Sequence, residues 1–178
     1  MTRPAPPLPP LVAEDHLCAT CGFAFAGVSV EQARSLIESF PGRYRAALRD
    51  RSDEALRLRP APGVWSPVEY LCHVRDVFVS HLIRLYRART EDDPALEPMF
   101  NDLRARRLRY GERDVPATLD ELEAAVTGLL EEAARFRPEE WSRTVHRLPG
   151  ERRSALWLLR NAAHEGVHHL RDITDRPT

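Results

Sequence analysis

Hydrophobic residues recur at helical spacing along most of the chain, and this pattern leaves almost no room for a sheet. The spacing predicts four long helices, at about 29–49, 66–89, 118–136 and 153–173. Residues 144–148 are the only strand candidate, and the polar, arginine-rich stretch 92–116 is the expected crossover between the second and third helices. Four long helices with a long connection form a helix bundle, so the predicted fold class is all-α.

The helix starts carry their own signals. The letters S-P-V-E at 66–69 combine an N-cap serine, a proline suited to the first helical position and the glutamate of a capping box. Thr118 and Glu121 repeat the capping-box spacing and predict the start of the third helix. Pro41 and Gly42 are expected to kink or divide the first helix, because proline removes a helical hydrogen bond.

Composition limits the function classes. The 178 residues are 43% hydrophobic and 30% charged, which is enough for one domain with a real core. A net charge of -1 disfavours broad electrostatic binding to nucleic acid or to an anionic membrane. All 26 basic residues are arginine, which excludes Schiff-base and P-loop lysines. The sequence shows neither a secretory leader nor a run of about 18 apolar residues, so a cytoplasmic protein is expected.

The first 28 residues differ from the rest. Proline dominates residues 1–14 and predicts an extended arm, whereas residues 15–28 contain Cys18-Ala-Thr-Cys21 and predict a knuckle-like turn. We therefore expect an arm with a CxxC knuckle over 1–28 and a helical bundle over 29–178.

The histidines suggest a metal centre. His164 and His168 are four residues apart, which places them one turn apart on the same helix face. His73 shares a face of the second helix with Tyr70 and Val77, both expected in the core, and could supply a third ligand from across the bundle. Three imidazoles suit Zn, with Ni and Fe as alternatives, and leave a coordination position open. The competing interpretation is that these are ordinary hydrogen-bonded helix histidines.

A second interpretation of the same segment is hydrolytic. Residues 164–168 read H-E-G-V-H, the zinc-peptidase pattern in which Glu165 would be the general base. Too few residues follow His168 to supply a third ligand from a downstream helix. The peptidase interpretation is therefore disfavoured.

The CxxC motif is half of a zinc knuckle. Cys18 and Cys21 would need two further ligands to close a second zinc site, and His16 and His146 are the candidates that the sequence offers. A redox pair, or two thiols in a reducing cytosol, are the alternatives.

Two segments together resemble the DinB-like superfamily of four-helix metalloproteins. They are WSPVEYLCHVRDV at 65–77 and NAAHEGVHHLRDI at 161–173, and the resemblance spans 29–174. It implies an up-down-down-up four-helix bundle, often dimeric.

The same resemblance implies that His73, His164 and His168 are metal ligands. The family includes mycothiol- and bacillithiol-dependent S-transferases and a mycothiol-dependent maleylpyruvate isomerase, whose metal activates a thiol as the thiolate. The resulting expectation is a divalent-metal enzyme, zinc first, that performs thiol S-transfer or isomerisation on a small molecule. The alternatives are a non-catalytic metal-binding or stress-response protein, with His169 or His81 as fourth ligand, and an interaction module that uses residues 1–28.

Overall fold

The computed structural model describes residues 10–148 and 150–175, and four long helices dominate this part of the chain. In chain order, the helices and strands are α1 (Val30–Leu48), α2 (Asp53–Arg57), α3 (Pro67–Thr90), α4 (Asn101–Arg107), α5 (Val115–Ala133), β1 (Thr144–His146), β2 (Arg152–Ser154) and α6 (Ala155–Thr174). Short 3-10 turns lie at Phe25–Gly27, Tyr110–Glu112 and Pro138–Ser142.

The four long helices α1, α3, α5 and α6 form the bundle. Both α1 and α3 pack against α5 and α6, so that the core lies where the four helices meet. Its fully buried side chains include Ile37, Phe40, Phe78, Leu122 and Leu158. The predicted all-α four-helix bundle is therefore confirmed.

The strand candidate forms a small hairpin. β1 pairs with β2 in antiparallel register, with Val145 opposite Arg153. The prediction had placed Arg153 in the last helix, but α6 begins at Ala155, where Ser154 accepts a hydrogen bond from the Trp157 amide at 3.0 Å. The serine side chain satisfies a free amide of the first turn and so fixes the helix start.

Helix α1 runs from Val30 to Leu48 through Pro41, so of the two predicted effects of Pro41 and Gly42, a kink or a division, the division is wrong. Proline removes only the hydrogen bond to the carbonyl of residue 37. Phe40 and Tyr44, which flank it, are fully buried against the bundle. Packing of these aromatic side chains keeps the helix continuous across the missing bond.

The predicted start of the third helix is also wrong. Helix α5 begins one turn earlier, because the Asp114 carboxylate caps it and accepts a hydrogen bond from the Ala117 amide at 2.8 Å. Thr118 lies inside the helix, buried, and its hydroxyl donates to the Asp114 carbonyl at 2.6 Å. The helix ends at Ala133 and not at residue 136.

Helix α3 starts as predicted, and this start sets the position of His73. The Glu69 carboxylate accepts hydrogen bonds from the Ser66 amide at 2.8 Å and from Arg59 Nε at 2.8 Å. The capping box is thus closed by a salt bridge to the preceding loop. His73, one turn beyond Glu69, is buried on the side that faces α6.

Residues 10–28 pack onto the bundle. Cys18, Phe23 and Phe25 are buried in the main core. Arg153 donates hydrogen bonds to the Leu11 and Val12 carbonyls at 2.6 Å each. Residues 1–9 of the predicted arm lie outside the described residues, and the division of the chain at residue 28 stays a prediction.

None of the described helices is both long enough and apolar enough to cross a membrane.

Candidate metal centres

One segment of α6 supplies residues to two separate clusters of metal-binding side chains. The segment 164–169, H-E-G-V-H-H, contains two pairs at i,i+4 spacing: His164 with His168, and Glu165 with His169. Because consecutive helical residues are rotated by roughly 100°, the two pairs point in different directions. Each pair therefore meets a different part of the fold.

The first cluster, which we call the bundle cluster, joins α3 to α6. It consists of His73, Glu165 and His169, whose donor atoms all lie within 4.8 Å of one another. Glu165 Oε2 lies 3.3 Å from His73 Nε2 and 3.3 Å from His169 Nε2. Two imidazoles and one carboxylate thus converge on one point between two helices.

Neighbouring groups hold the rings of the bundle cluster. Trp65 packs edge-on against His73 with ring centroids 5.1 Å apart, and Tyr70 stacks on His169 at 5.2 Å. His169 Nδ1 lies 2.9 Å from a carboxylate oxygen of Asp172. If Nδ1 donates to Asp172, Nε2 is left as the ligand atom, which is the usual arrangement of a metal-binding histidine.

The charges of the bundle cluster are coupled. Burial lowers the pKa of His73. Burial alone would raise the pKa of Glu165, but hydrogen bonds to His169 and His73 bring it well below its usual range. Burial also opposes protonation of His169, yet Asp172 and Glu165 raise its pKa to about 9. Glu165 is therefore a carboxylate at neutral pH, as a metal ligand must be, whereas His169 would release a proton when it binds a metal ion.

The second cluster, which we call the knuckle cluster, joins the N-terminal segment to α6. It consists of Cys18, Cys21, His164 and His168, with donor atoms again within 4.8 Å of one another. Cys18 Sγ lies 3.5 Å from His168 Nδ1. The three cysteines are free thiols, Cys18 and Cys72 buried and Cys21 partly exposed.

His164 is the residue of the knuckle cluster that lacks hydrogen-bond partners. Both of its ring nitrogens are buried and have no hydrogen-bond partner among the described residues. The rings of Phe23 and Phe25 lie 5.6 and 5.2 Å away. Burial lowers the pKa of His164 to about 4, so the imidazole is neutral at physiological pH.

Asp172 lies between the two clusters. It pairs with His169 of the bundle cluster at 2.9 Å and lies 3.8 Å from Nε2 of His168 in the knuckle cluster. These three residues also form a group of potential ligands in their own right.

The structure distributes the predicted ligands differently from the prediction. His73, His164 and His168 are not brought together: His73 meets Glu165 and His169, whereas the other two meet the cysteines. The sequence analysis did not single out Glu165 and His169 as a pair of potential ligands, although their i,i+4 spacing is as visible as that of His164 and His168. Which pair faces α3 could not be read from spacing alone.

The predicted partners of the cysteines were also different. His16 packs against Phe25 at 5.8 Å, and His146 lies 3.3 Å from Asp93. Neither belongs to the knuckle cluster. His81, the other proposed extra ligand, is buried and bonded to the Val77 carbonyl at 2.8 Å, outside all three groups among the described residues.

Solved structures share this fold. YfiT from Bacillus subtilis, described as a probable metal-dependent hydrolase with an unusual four-helix bundle topology, aligns with a TM-score of 0.77 at 17% identity, over 82% of this chain and 84% of its own. TT2238, described as a four-helix bundle protein, aligns with a TM-score of 0.62 at 24% identity, over 83% of this chain and 100% of its own. The mycothiol-dependent maleylpyruvate isomerase aligns with a TM-score of 0.66 at 18% identity, over 84% of this chain and 62% of its own.

No protein with a curated description matches the sequence. The family model of the DinB superfamily matches residues 36–173, which include all four long helices except the first turns of α1 and the end of α6. The match spans more than half of the chain and contains the bundle cluster. The protein therefore belongs to the DinB superfamily.

Proposed function

We propose that the protein is a metal-dependent enzyme whose divalent ion is held by His73, Glu165 and His169, and that it transfers or isomerises a small molecule with the help of a low-molecular-weight thiol. The observation that carries this proposal is the convergence of two imidazole nitrogens on the Glu165 carboxylate, 3.3 Å from each. Zinc is the expected ion, with nickel or iron as alternatives.

The donor set fits a catalytic site. Two histidines and one carboxylate hold zinc in several hydrolases and iron(II) in non-haem oxygenases, and three protein ligands leave a position for an outside ligand. When bound, the cation supplies Lewis acidity that stabilises a thiolate, or a hydroxide, at neutral pH.

The protein's own side chains would shield and orient this centre. The His73 side chain is 3% exposed, that of His169 15% and that of Glu165 25%. A small molecule would therefore approach from the side of Glu165. The rings of Trp65 and Tyr70 pack on His73 and His169 and would hold the two imidazoles in place.

The reaction class requires only a thiol and an electrophilic carbon. The thiol loses its proton to solvent, and its sulfur forms a bond to the carbon. In a transfer, the leaving group departs with the bonding electron pair. In an isomerisation, the sulfur adds to one carbon of a conjugated C=C bond, and the π electrons move onto the conjugated carbonyl group. After rotation about the resulting C–C single bond, the S–C bond breaks, the C=C bond forms again, and the released thiolate takes a proton back from solvent. The likeness to the mycothiol-dependent maleylpyruvate isomerase supports this choice at the level of the fold.

Hydrolysis is the second candidate, because the donor set includes a carboxylate, as in hydrolytic zinc sites. The fold likeness to YfiT, described as a probable metal-dependent hydrolase, supports it as well. The peptidase arrangement, with His164 and His168 as ligands and Glu165 as free base, is not favoured, since Glu165 lies among the donors of the bundle cluster.

The test compares metal-loaded wild type with His73→Ala and His169→Ala. Turnover is followed as thiol conjugation to an electrophile, as maleylpyruvate isomerisation with mycothiol, and as hydrolysis of an activated ester. We expect one of the thiol reactions in the wild type and a loss of about 100-fold or more in both variants, because each removes a ligand.

His146→Ala is the matched control and should leave turnover unchanged, since His146 pairs with Asp93 and belongs to neither cluster. Ester hydrolysis without thiol dependence would favour the second candidate. Full metal loading without turnover in any assay would favour the non-catalytic metal-binding alternative, and undiminished turnover in both variants would refute the assigned centre.

A further inference from the structure

The knuckle cluster has the donor chemistry of a closed metal site. Two thiols and two imidazoles are a standard ligand set for tetrahedral zinc. Zinc–sulfur bonds of about 2.3 Å and zinc–nitrogen bonds of about 2.0 Å place the sulfur and nitrogen ligands roughly 3.5 Å apart at a tetrahedral angle. Cys18 Sγ and His168 Nδ1 are 3.5 Å apart.

The loop that carries the two cysteines is shaped to present both sulfurs. The Gly22 amide donates to the Cys18 carbonyl at 2.8 Å, and Gly22 adopts a φ of 75°, which a side chain would disfavour. Leu17 and Ala24 form an antiparallel bridge that closes the loop.

His164 supplies an independent observation. A buried imidazole with two unpartnered nitrogens is rare and costs free energy unless something satisfies it. A disulfide between Cys18 and Cys21 would leave both nitrogens unsatisfied. A metal ion among the four donors would be coordinated by one nitrogen of His164 and, at the same time, by the sulfurs of Cys18 and Cys21.

We infer that the chain carries a second metal site, a structural zinc ion bound by Cys18, Cys21, His164 and His168, which fastens the N-terminal segment to α6. Four protein ligands leave no open position, so this site is structural and not catalytic. The inference does not depend on the proposed enzyme activity, because the proposed catalytic centre uses other residues: His73, Glu165 and His169.

Further contacts around the site also hold the N-terminal segment against α6. Arg171 on α6 donates to the Thr20 carbonyl at 2.7 Å, and Phe23 and Phe25 pack on the His164 ring. Asp172 lies 3.8 Å from His168 Nε2, so a carboxylate stands near the ring nitrogen of His168 that is not the one next to Cys18.

Cobalt(II) substitution of the purified full-length protein tests the site directly. We expect a near-ultraviolet thiolate-to-cobalt charge-transfer band, with the strong visible absorption of tetrahedral cobalt. Both should be lost in Cys21→Ser and retained in His73→Ala, which removes only the bundle cluster. Cys72→Ala is the matched thiol control and should keep the band, because Cys72 is buried elsewhere, near the Tyr110 carbonyl.

A band that survives in Cys21→Ser, or that disappears in His73→Ala, would overturn the assignment. If His73→Ala loses turnover in the thiol reaction but keeps the charge-transfer band, the structural site is supported. This conclusion does not depend on whether the proposed function is correct.

A second measurement uses wild-type protein alone and so does not depend on the folding of variants. Iodoacetamide modification of Cys18 and Cys21, read by peptide mass spectrometry, should be suppressed at least about 10-fold with zinc bound and should proceed after chelation, because a metal-bound thiolate is shielded. Equal modification of Cys21 with and without saturating zinc would refute the inference.

Discussion

At the scale of single residues, Gly166 explains how the two clusters share one helix. It lies between the residues of the two clusters in the sequence, and a Cβ placed there would be 2.3 Å from Cε2 of the buried Phe40 ring. The Tyr44 hydroxyl donates to the Gly166 carbonyl at 2.9 Å. A residue without a side chain therefore allows α1 to pack closely against the turn of α6 that carries residues of both clusters.

Gly166→Ala should lower the free energy of unfolding by about 1–3 kcal/mol, because the added methyl group must displace a packed aromatic ring. Gly42→Ala is the matched control: it also lies within a helix, α1, but a Cβ there meets nothing within 4 Å. This control should raise stability by about 0.5–1 kcal/mol through helix propensity. Urea unfolding measures both; equal effects would contradict the proposed contact.

At the scale of secondary structure, helix starts decide which side chains face inward. The start of α3 at Ser66 was visible in its capping box, and it places His73 toward α6. The start of α5 was mispredicted, because a capping-box pattern at Thr118 competed with a simple aspartate cap one turn earlier. Buried Thr118 is an interior residue whose hydroxyl is satisfied by a carbonyl of the preceding turn.

Asp114→Ala should lower the free energy of unfolding by about 1 kcal/mol, because the Ala117 amide loses its cap. Asp120→Ala, an exposed aspartate on the same helix, should change stability by no more than about 0.5 kcal/mol. Thermal or urea unfolding of the two variants is the measurement. A larger effect at Asp120 than at Asp114 would show that Asp114 is not the cap.

At the scale of the whole molecule, a buried carboxylate ties the long crossover to the bundle. Asp76 of α3 accepts a hydrogen bond from Arg104 Nη2 of α4 at 2.6 Å, and others from Tyr110 and from Arg75 Nε at 2.7 Å. Burial alone would raise the pKa of Asp76, but Tyr110, Arg104 and Arg75 lower it. Asp76 thus ties α4 and the turn at Tyr110 to α3.

Asp76→Asn should lower the free energy of unfolding at pH 7 by about 3 kcal/mol, since it leaves the arginines without their buried partner. The depressed pKa means that the carboxylate stabilises the fold above its unfolded value of about 4 and loses this contribution as pH falls through the folded value. Denaturation at several pH values should therefore show that the difference in the free energy of unfolding between Asp76→Asn and wild type becomes smaller in acid.

Asp53→Asn provides the control for this pH series, because the exposed Asp53 pairs, among the described residues, with Arg57 of its own helix alone. The difference in the free energy of unfolding between Asp53→Asn and wild type should stay small at every pH of the series. If the difference in the free energy of unfolding between Asp76→Asn and wild type does not change between pH 7 and the acid range, the role assigned to the carboxylate is contradicted.

Local patterns in the sequence determined the four helices, the start of α3 and the presence of metal-binding residue types at 18–21, 73 and 164–169. Helical periodicity and capping depend on neighbours within a turn or two, which the sequence displays directly. Only the tertiary structure decided how those residues combine. His164 with His168 and Glu165 with His169 have the same spacing, so their assignment depended on the rotation of α6 against α3 and the N-terminal loop. That rotation is set by packing such as Phe40 against Gly166, a contact between residues 126 positions apart, which no local pattern encodes.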